Sequence, residues 1–159
     1  MKESTLHDKA AAKIAAARPV VTVVREYELQ CAHRLTAGVP LNHRCRRPHG
    51  HRYLVRLAVS GAVDPATGMV LEYGTLDRIF VPAVVTPTDH HDLNTLTDRY
   101  TGPRAEAVAA NPTVENLALW LWDACLSLAS SSRAGGGLRL EWIEIEEDSR
   151  SSVRIARPC

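Results

Sequence analysis

The stretch CRRPHGHRY, residues 45–53, brings one thiol and two imidazoles close together in the chain. His49 and His51 are two positions apart, so on a β-strand both side chains project from the same face. Two neutral imidazoles in that arrangement can chelate a divalent metal, and Gly50 leaves room for an approaching group. The same spacing also occurs in histidines that only line a polar surface, so the pair alone leaves both interpretations open.

A third histidine, His33, closes an earlier run in which Tyr27, Leu29 and Cys31 occupy alternate positions. If this run pairs as a hairpin with the run that contains His51, His33 lies across from the HGH pair and completes a set of three imidazoles. Three imidazoles with an open fourth position are typical of catalytic zinc, because the open position admits water or substrate. Nickel, cobalt and iron accept the same ligands, so zinc is expected by precedent as much as by chemistry.

Three further groups have the chemistry to move protons or to hold a substrate. Cys45 stands beside two arginines, and nearby cations would favour its thiolate and let it act as a base, although a lone loop cysteine is more often unreactive. Asp89 directly precedes His90 in TDHHDLN, and such a carboxylate can fix the tautomer of the imidazole unless the run is merely solvated. Glu147 is in phase with the two isoleucines of IEIEED, which predicts an inward-facing carboxylate.

Alternating apolar residues predict the strands that position these groups. Strands are expected over 20–33 and 51–61, followed late in the chain by a hairpin over 138–149 and 152–156. In the hairpin the apolar phase shifts at Trp142, as a β-bulge would cause.

Two helices are expected between the second and third strands. One covers 71–85, where Pro82 kinks or ends it, and the other begins with Asn111 as its N-cap. A polar connection, 95–111, separates them and is either a functional loop or a plain insertion. The order ββααββ predicts an α+β fold, with a four-stranded antiparallel sheet and two helices packed on one face of it.

Composition narrows the class of protein. The chain has 159 residues, 45% of them apolar and 23% charged, with a net charge of +1, so it fits one domain and lacks a broad basic face for nucleic acid or anionic lipid. Its four cysteines form no CxxC pair, which argues against a disulfide framework or a thiolate zinc finger. Residues 1–19 contain no apolar run of a signal peptide or membrane span, so a cytoplasmic location is expected.

The order of the motifs is more specific than any one of them. CAHRL, C-x3-HGH, GMV, DHHDLN, NPTVENLA and IEIEED follow one another between residues 20 and 157. In this order the chain resembles the 6-pyruvoyltetrahydropterin synthase family. The three residues between the cysteine and HGH resemble the bacterial 6-carboxytetrahydropterin synthases, whereas five would resemble the pyruvoyl enzymes.

The resemblance implies a tunnelling fold (T-fold), in which subunits join as trimers whose sheets close a barrel, and two trimers stack. A homo-oligomer would also cover sheet edges that a lone four-stranded sheet leaves open. Active sites would then lie at subunit boundaries. Residues 20–159 would form the single synthase domain, and residues 1–19 an extension that is flexible or helical.

The resemblance also implies roles for individual residues. By position they are the metal ligands His33, His49 and His51, the catalytic thiol Cys45, the acid–base pair Asp89 and His90, and the substrate contacts Glu147 and Thr113. The cofactor would be Zn²⁺. The implied reaction converts 7,8-dihydroneopterin triphosphate and water to 6-carboxy-5,6,7,8-tetrahydropterin, acetaldehyde and triphosphate, for queuosine or a related 7-deazapurine. Arg34, Arg46 and Arg47 are the nearest cations in sequence for the triphosphate.

Two departures from the family pattern bear on substrate identity. Glu72 follows GMV where aspartate is usual, and Asp148 follows Glu147 where a small hydroxyl residue is common. One alternative is a pyruvoyl-type or side-chain-cleaving pterin enzyme on the same fold. Another is a non-catalytic zinc or pterin binding module, which would need neither Cys45 nor the Asp89–His90 pair.

Overall fold

The computed structural model describes residues 20–96, 102, 104–131 and 137–157. Its main elements are β1 (Val20–His33), β2 (His49–Ala62), α1 (Tyr73–Phe80), α2 (Ala105–Ala110), α3 (Val114–Ser131), β3 (Arg139–Asp148) and β4 (Ser151–Ala156). The expected extension over residues 1–19 lies outside this range. None of the helices in the described ranges has the length and hydropathy to span a bilayer.

The four strands form one antiparallel sheet in the order β1-β2-β3-β4, which confirms the predicted fold class. β1 pairs with β2 without interruption, and this register sets His33 opposite His49 and Cys31 opposite His51. The ladder between β2 and β3 shifts where Leu140 and Trp142 flank an extra residue, which places the predicted bulge at Glu141.

One face of the sheet packs against the helices and carries the core. Alternate residues of the strands are buried there, among them Leu29, Tyr53 and Ile143. The apolar stripe of α3, which includes Leu117 and Leu121, covers them. The apolar residues that recur every 2.0 positions in the strands and every 3.6 positions in the helices therefore pack together in a single core.

The opposite face of the sheet carries charged side chains in register. Arg56 on β2 lies 3.0 Å from Glu26 of β1 and 2.9 Å from Glu144 of β3. Glu144 in turn accepts from Arg154 of β4 at 2.7 Å. No helix of the described chain covers this face in the single chain, so the cover expected from an oligomer is still needed.

Pro82 redirects the first helix instead of ending it. α1 is capped by Glu72, whose carboxylate accepts from the Gly74 amide. After Phe80 the chain continues as a π-helical segment, Val81–Val85, and a final turn leads to Asp89. A proline has no amide hydrogen to donate, and a wider turn accommodates the missing bond.

The expected N-cap of the second helix is wrong by two residues. Asn111 ends the short helix α2, and its side-chain oxygen accepts from the Thr36 amide at 2.8 Å. Thr113 is the N-cap of α3, because its hydroxyl accepts from the Asn116 amide at 3.2 Å. α2 also shows that part of the 95–111 connection is ordered helix.

Candidate metal centre and substrate cavity

Three imidazoles converge at the end of the first hairpin. His33 is the last residue of β1, while His49 and His51 are the first and third residues of β2 and lie on the same face of the sheet. Their ligand atoms all lie within 4.8 Å of one another, and the Nε2 atoms of His33 and His49 are 3.1 Å apart. The group can therefore hold a metal ion.

Two backbone carbonyls determine which nitrogens face each other. The Nδ1 of His33 lies 2.7 Å from the Pro112 carbonyl, and the Nδ1 of His49 lies 2.8 Å from the Arg47 carbonyl. A carbonyl oxygen only accepts, so each Nδ1 must donate, and in the neutral ring the Nε2 then carries a lone pair. Burial lowers the pKa of His33 and favours that neutral form. Two lone pairs pointed at each other need a cation between them, so this donor set fits a divalent metal.

Glu147 approaches the same nitrogens from β3. It has no partner in the ladder to β4, because the register shifts between Glu146 and Asp148, and it sits in the resulting bulge. Its Oε1 lies 3.6 Å from His51 Nε2 and 3.7 Å from His33 Nε2. Burial raises the pKa of this carboxyl group. The structure thus places the predicted inward-facing carboxylate beside the imidazoles.

A cavity of about 490 Å³ opens next to Glu147. Its walls are the loop after β1, the start of α3 and the β3–β4 turn, and they include Thr113, Glu115 and Arg150. The volume lies within the range of small-molecule sites. Sequence reasoning identified Thr113 and Glu147 but missed Glu115 and Arg150. Glu115 could have been found from its place in the first helical turn, two residues after Thr113, whereas Arg150 carries no comparable signal.

The Asp89–His90 pair lies along the outer edge of β1. Asp89 accepts from the Gln30 amide at 2.7 Å, and the His90 amide donates to the Gln30 carbonyl at 2.7 Å. His90 has a positive φ of 59°, which is rare for a non-glycine residue and is concentrated at functional sites. Its imidazole is 78% exposed and lies 3.7 Å from the Asp89 carboxylate.

His90 and Glu147 do not share a cavity in the single chain. His90 lines a second, shallow cavity of about 500 Å³ together with His51 and Arg52. No residue lines both this cavity and the one beside Glu147. The structure therefore brings together the histidine cluster and Glu147, but leaves the Asp89–His90 pair apart from Glu147.

Cys45 occupies a short 3₁₀ turn between the two hairpin strands. It is a half-buried free thiol, and its carbonyl accepts from the Leu35 amide at 2.8 Å. The neighbouring Arg46 does not offer its guanidinium to a substrate. Its nitrogens donate to the carbonyls of Thr36 at 2.9 Å, Val39 at 3.0 Å and Pro40 at 3.1 Å. The expectation that Arg46 is available for a triphosphate is corrected by these contacts.

The fold and the imidazole cluster define a class: a small α+β domain with a candidate metal centre built at one end of an antiparallel hairpin. Residues 22–158 match the family model described as 6-pyruvoyl tetrahydropterin synthase. The chain therefore belongs to the 6-pyruvoyl tetrahydropterin synthase family, as the motif order predicted.

The relatives of this chain include two differently named enzymes. The chain is 33% identical over 110 residues to 6-pyruvoyl tetrahydrobiopterin synthase of Homo sapiens, covering 64% of this chain and 71% of the relative. It is 24% identical over 110 residues to 6-carboxy-5,6,7,8-tetrahydropterin synthase of Rickettsia conorii, covering 64% and 78%. Among solved structures, Caenorhabditis elegans 6-pyruvoyl tetrahydropterin synthase superposes with a TM-score of 0.69 at 23% identity, covering 88% of this chain and 97% of that one.

Proposed function

We propose that this protein is a metal-dependent lyase that converts 7,8-dihydroneopterin triphosphate and water to 6-carboxy-5,6,7,8-tetrahydropterin, acetaldehyde and triphosphate. The observation that carries the proposal is the convergence of three imidazoles beside a carboxylate that lines a ligand-sized cavity. Family membership supports a pterin substrate. Zn²⁺ is the proposed metal, and it would supply Lewis-acid polarisation of substrate oxygens.

The remaining roles belong to the protein's own groups. Glu147 and Thr113 bind the pterin, and the carboxylate accepts paired hydrogen bonds from the ring N–H and the 2-amino group. Cys45 removes a proton from the substrate side chain. His90, oriented by Asp89, serves as the second proton-transfer group.

A complete site needs two chains. In one chain His90 and Glu147 line different cavities, and the His90 imidazole is exposed. A second chain that brings its exposed His90 to a substrate held by Glu147 would complete the site. We propose a homo-oligomer with sites shared between subunits, which also agrees with the open charged face of the sheet.

The 6-pyruvoyl product is a second candidate. The 33% identity to the human pyruvoyl enzyme, against 24% to the Rickettsia carboxy enzyme, favours it. The three residues that separate Cys45 from HGH favour the carboxy product. We favour the carboxy reaction because the three-residue spacing sets the position of Cys45, the candidate base, relative to the histidines.

One incubation separates these candidates. Zinc-loaded protein is mixed with 7,8-dihydroneopterin triphosphate, and the products are identified by mass and by an assay for acetaldehyde. Carboxytetrahydropterin with acetaldehyde supports the first candidate, and pyruvoyltetrahydropterin supports the second. A substrate that is bound but unchanged would instead indicate a non-catalytic pterin module. A carboxy product would support a place in queuosine or related 7-deazapurine biosynthesis.

A further inference from the structure

Glu147 lies closer to the imidazole cluster than pterin binding alone requires. Its Oε1 is 3.6 Å from His51 Nε2 and 3.7 Å from His33 Nε2. Around a tetrahedral zinc ion with ligand bonds of 2.0–2.1 Å, neighbouring ligand atoms are about 3.3 Å apart. The 3.1 Å between the His33 and His49 nitrogens and the two carboxylate distances therefore bracket the spacing of ligands around one ion.

The position of this carboxylate follows from the backbone. Glu147 occupies a bulge, which re-aims its side chain toward β1 and β2. The adjacent Asp148 points elsewhere, because its Oδ1 accepts from the Arg150 amide at 2.8 Å in the β3–β4 turn. The two neighbouring carboxylates thus have separate tasks.

Among the described residues, no arginine or lysine forms an ion pair with Glu147. Its ion-pair contacts among the described residues are to His33 and His51 alone. The Nδ1 of His33 donates to a carbonyl, so the Nε2 of the neutral ring presents a lone pair toward the carboxylate. A carboxylate oxygen facing a lone pair is favourable only when a proton or a metal ion lies between them.

We propose that Glu147 is the fourth ligand of the metal while no substrate is bound. The inference rests on the metal site of the proposed function. It gives Glu147 a second role, as a metal ligand, besides its role in binding the pterin. When the pterin enters, its N–H groups become the partners of the carboxylate. Glu147 then leaves the metal, and a coordination position opens for the side-chain oxygens of the substrate. Substrate binding and the opening of the metal are thereby coupled through one side chain.

The test compares Glu147→Gln with Glu115→Gln, a matched change on the other carboxylate of the same cavity. Zinc affinity is measured on each full-length protein by competition with a chromophoric chelator, without substrate. Glu147→Gln should bind zinc at least about tenfold more weakly, since even an outer partner of a metal ligand is worth about 10–100-fold, whereas Glu115→Gln should match the wild type. Cobalt-loaded Glu147→Gln should also show a visible absorption spectrum different from that of the wild type, because one ligand has changed.

Equal zinc affinity in Glu147→Gln and the wild type would overturn the inference. An altered affinity with an unchanged cobalt spectrum would overturn it as well, since the carboxylate would then act only through the imidazoles. Circular dichroism and the oligomer mass establish that each variant is folded. Both readouts are independent of turnover, so an inactive wild type would refute the proposed reaction and leave this inference standing.

Discussion

At the scale of single residues, two carbonyl oxygens prepare the histidines for a cation. The Pro112 and Arg47 carbonyls accept from His33 and His49, and the opposite nitrogens are left without a hydrogen. Outer partners of this kind fix the orientation of metal-ligating imidazoles in proteins generally. These two contacts therefore orient the His33 and His49 rings toward each other.

The clearest residue-scale prediction concerns the thiol. Cys45→Ala should lower kcat by about 10²–10⁴-fold, the usual contribution of a positioned proton-transfer group. Zinc content should stay at the wild-type value, because the three imidazoles remain. Turnover is followed by product mass, and metal by elemental analysis.

The control is Arg44→Ala, an exposed neighbour in the same 3₁₀ turn. It should retain activity. If Cys45→Ala were as active as the wild type, the base would have to be another group.

At the scale of elements, the loop between β1 and β2 is held by one guanidinium. Arg46 reaches the carbonyls of Thr36, Val39 and Pro40, and Asn111 accepts from the Thr36 amide. Part of this loop, including Val39, lines the cavity beside Glu147. The loop contacts therefore shape the candidate substrate site without involving the three histidines.

Arg46→Lys should raise KM more than it lowers kcat. A lysine keeps the charge but cannot make several hydrogen bonds in a planar fork, so the cavity wall loosens. Steady-state kinetics and zinc content provide the measurement, with unchanged zinc expected. Arg44→Lys is the matched control, and an unchanged KM in Arg46→Lys would show that the wall does not depend on this clamp.

A second element-scale contact joins α1 to β1. Arg25 donates to both oxygens of Asp77, at 3.0 and 2.8 Å, and the Tyr27 hydroxyl donates to Oδ1 at 3.0 Å. The hydrogen bonds from Arg25 hold the pKa of Asp77 below its ordinary value. A carboxyl with a lowered pKa in the folded state stabilises the fold above its unfolded pKa, and the gain disappears as pH falls through the lowered value.

Asp77→Asn should therefore lower the melting temperature at pH 7 by about 2–4 °C, a modest shift because the pair is partly exposed. The difference from the wild type should stay constant between pH 5 and 8, a range above the unfolded pKa of about 3.9, and should shrink below about pH 4. Thermal melts across this range measure it. Glu106→Gln, on an exposed helical position, is the control, and a difference that grew on acidification would contradict the assignment.

Strand periodicity was sufficient to predict the strands and the face on which each histidine lies. The meeting of the three histidines was predicted on the condition that β1 and β2 pair as a hairpin, which they do. The sequence could not predict the hydrogen bonds of Arg46 to the loop carbonyls or the Pro112 carbonyl beside His33. These contacts depend on the conformation of loops, which have no regular sequence pattern. The N-cap error has the same origin. Asn111 has the right chemistry to cap α3, but the Thr36 amide takes its oxygen.

At the scale of the whole molecule, one chain presents halves of a site. Glu147 lines one cavity, and His90 lines another together with His51. The charged face of the sheet, with Arg56 at its centre, lacks a cover among the described elements. Both features are expected of a subunit that is completed by copies of itself.

Mixing two inactive variants tests this arrangement. Cys45→Ala and His90→Ala should each be inactive, yet subunits dissociated together and reassembled should regain activity. We consider a site that takes the thiol from one chain and the imidazole from another. In an equal mixture each of these groups is intact in about half of the chains, so roughly a quarter of the sites have both. Recovery is measured against reassembled wild type. Mixed oligomers that remain inactive would show that one chain supplies both groups.

The π-helical segment at Val81–Val85 also has a consequence for how the molecule tolerates length changes. Each residue of a helix turns the chain by about 100°, and a π turn holds one residue more than an α turn. Deleting one residue there should let a regular turn form and leave Asp89 and His90 at the rim of β1, because the wider turn already absorbs the extra residue. Deleting a residue from the regular helix α1 would instead rotate everything after it by about 100° and move the pair away from that rim.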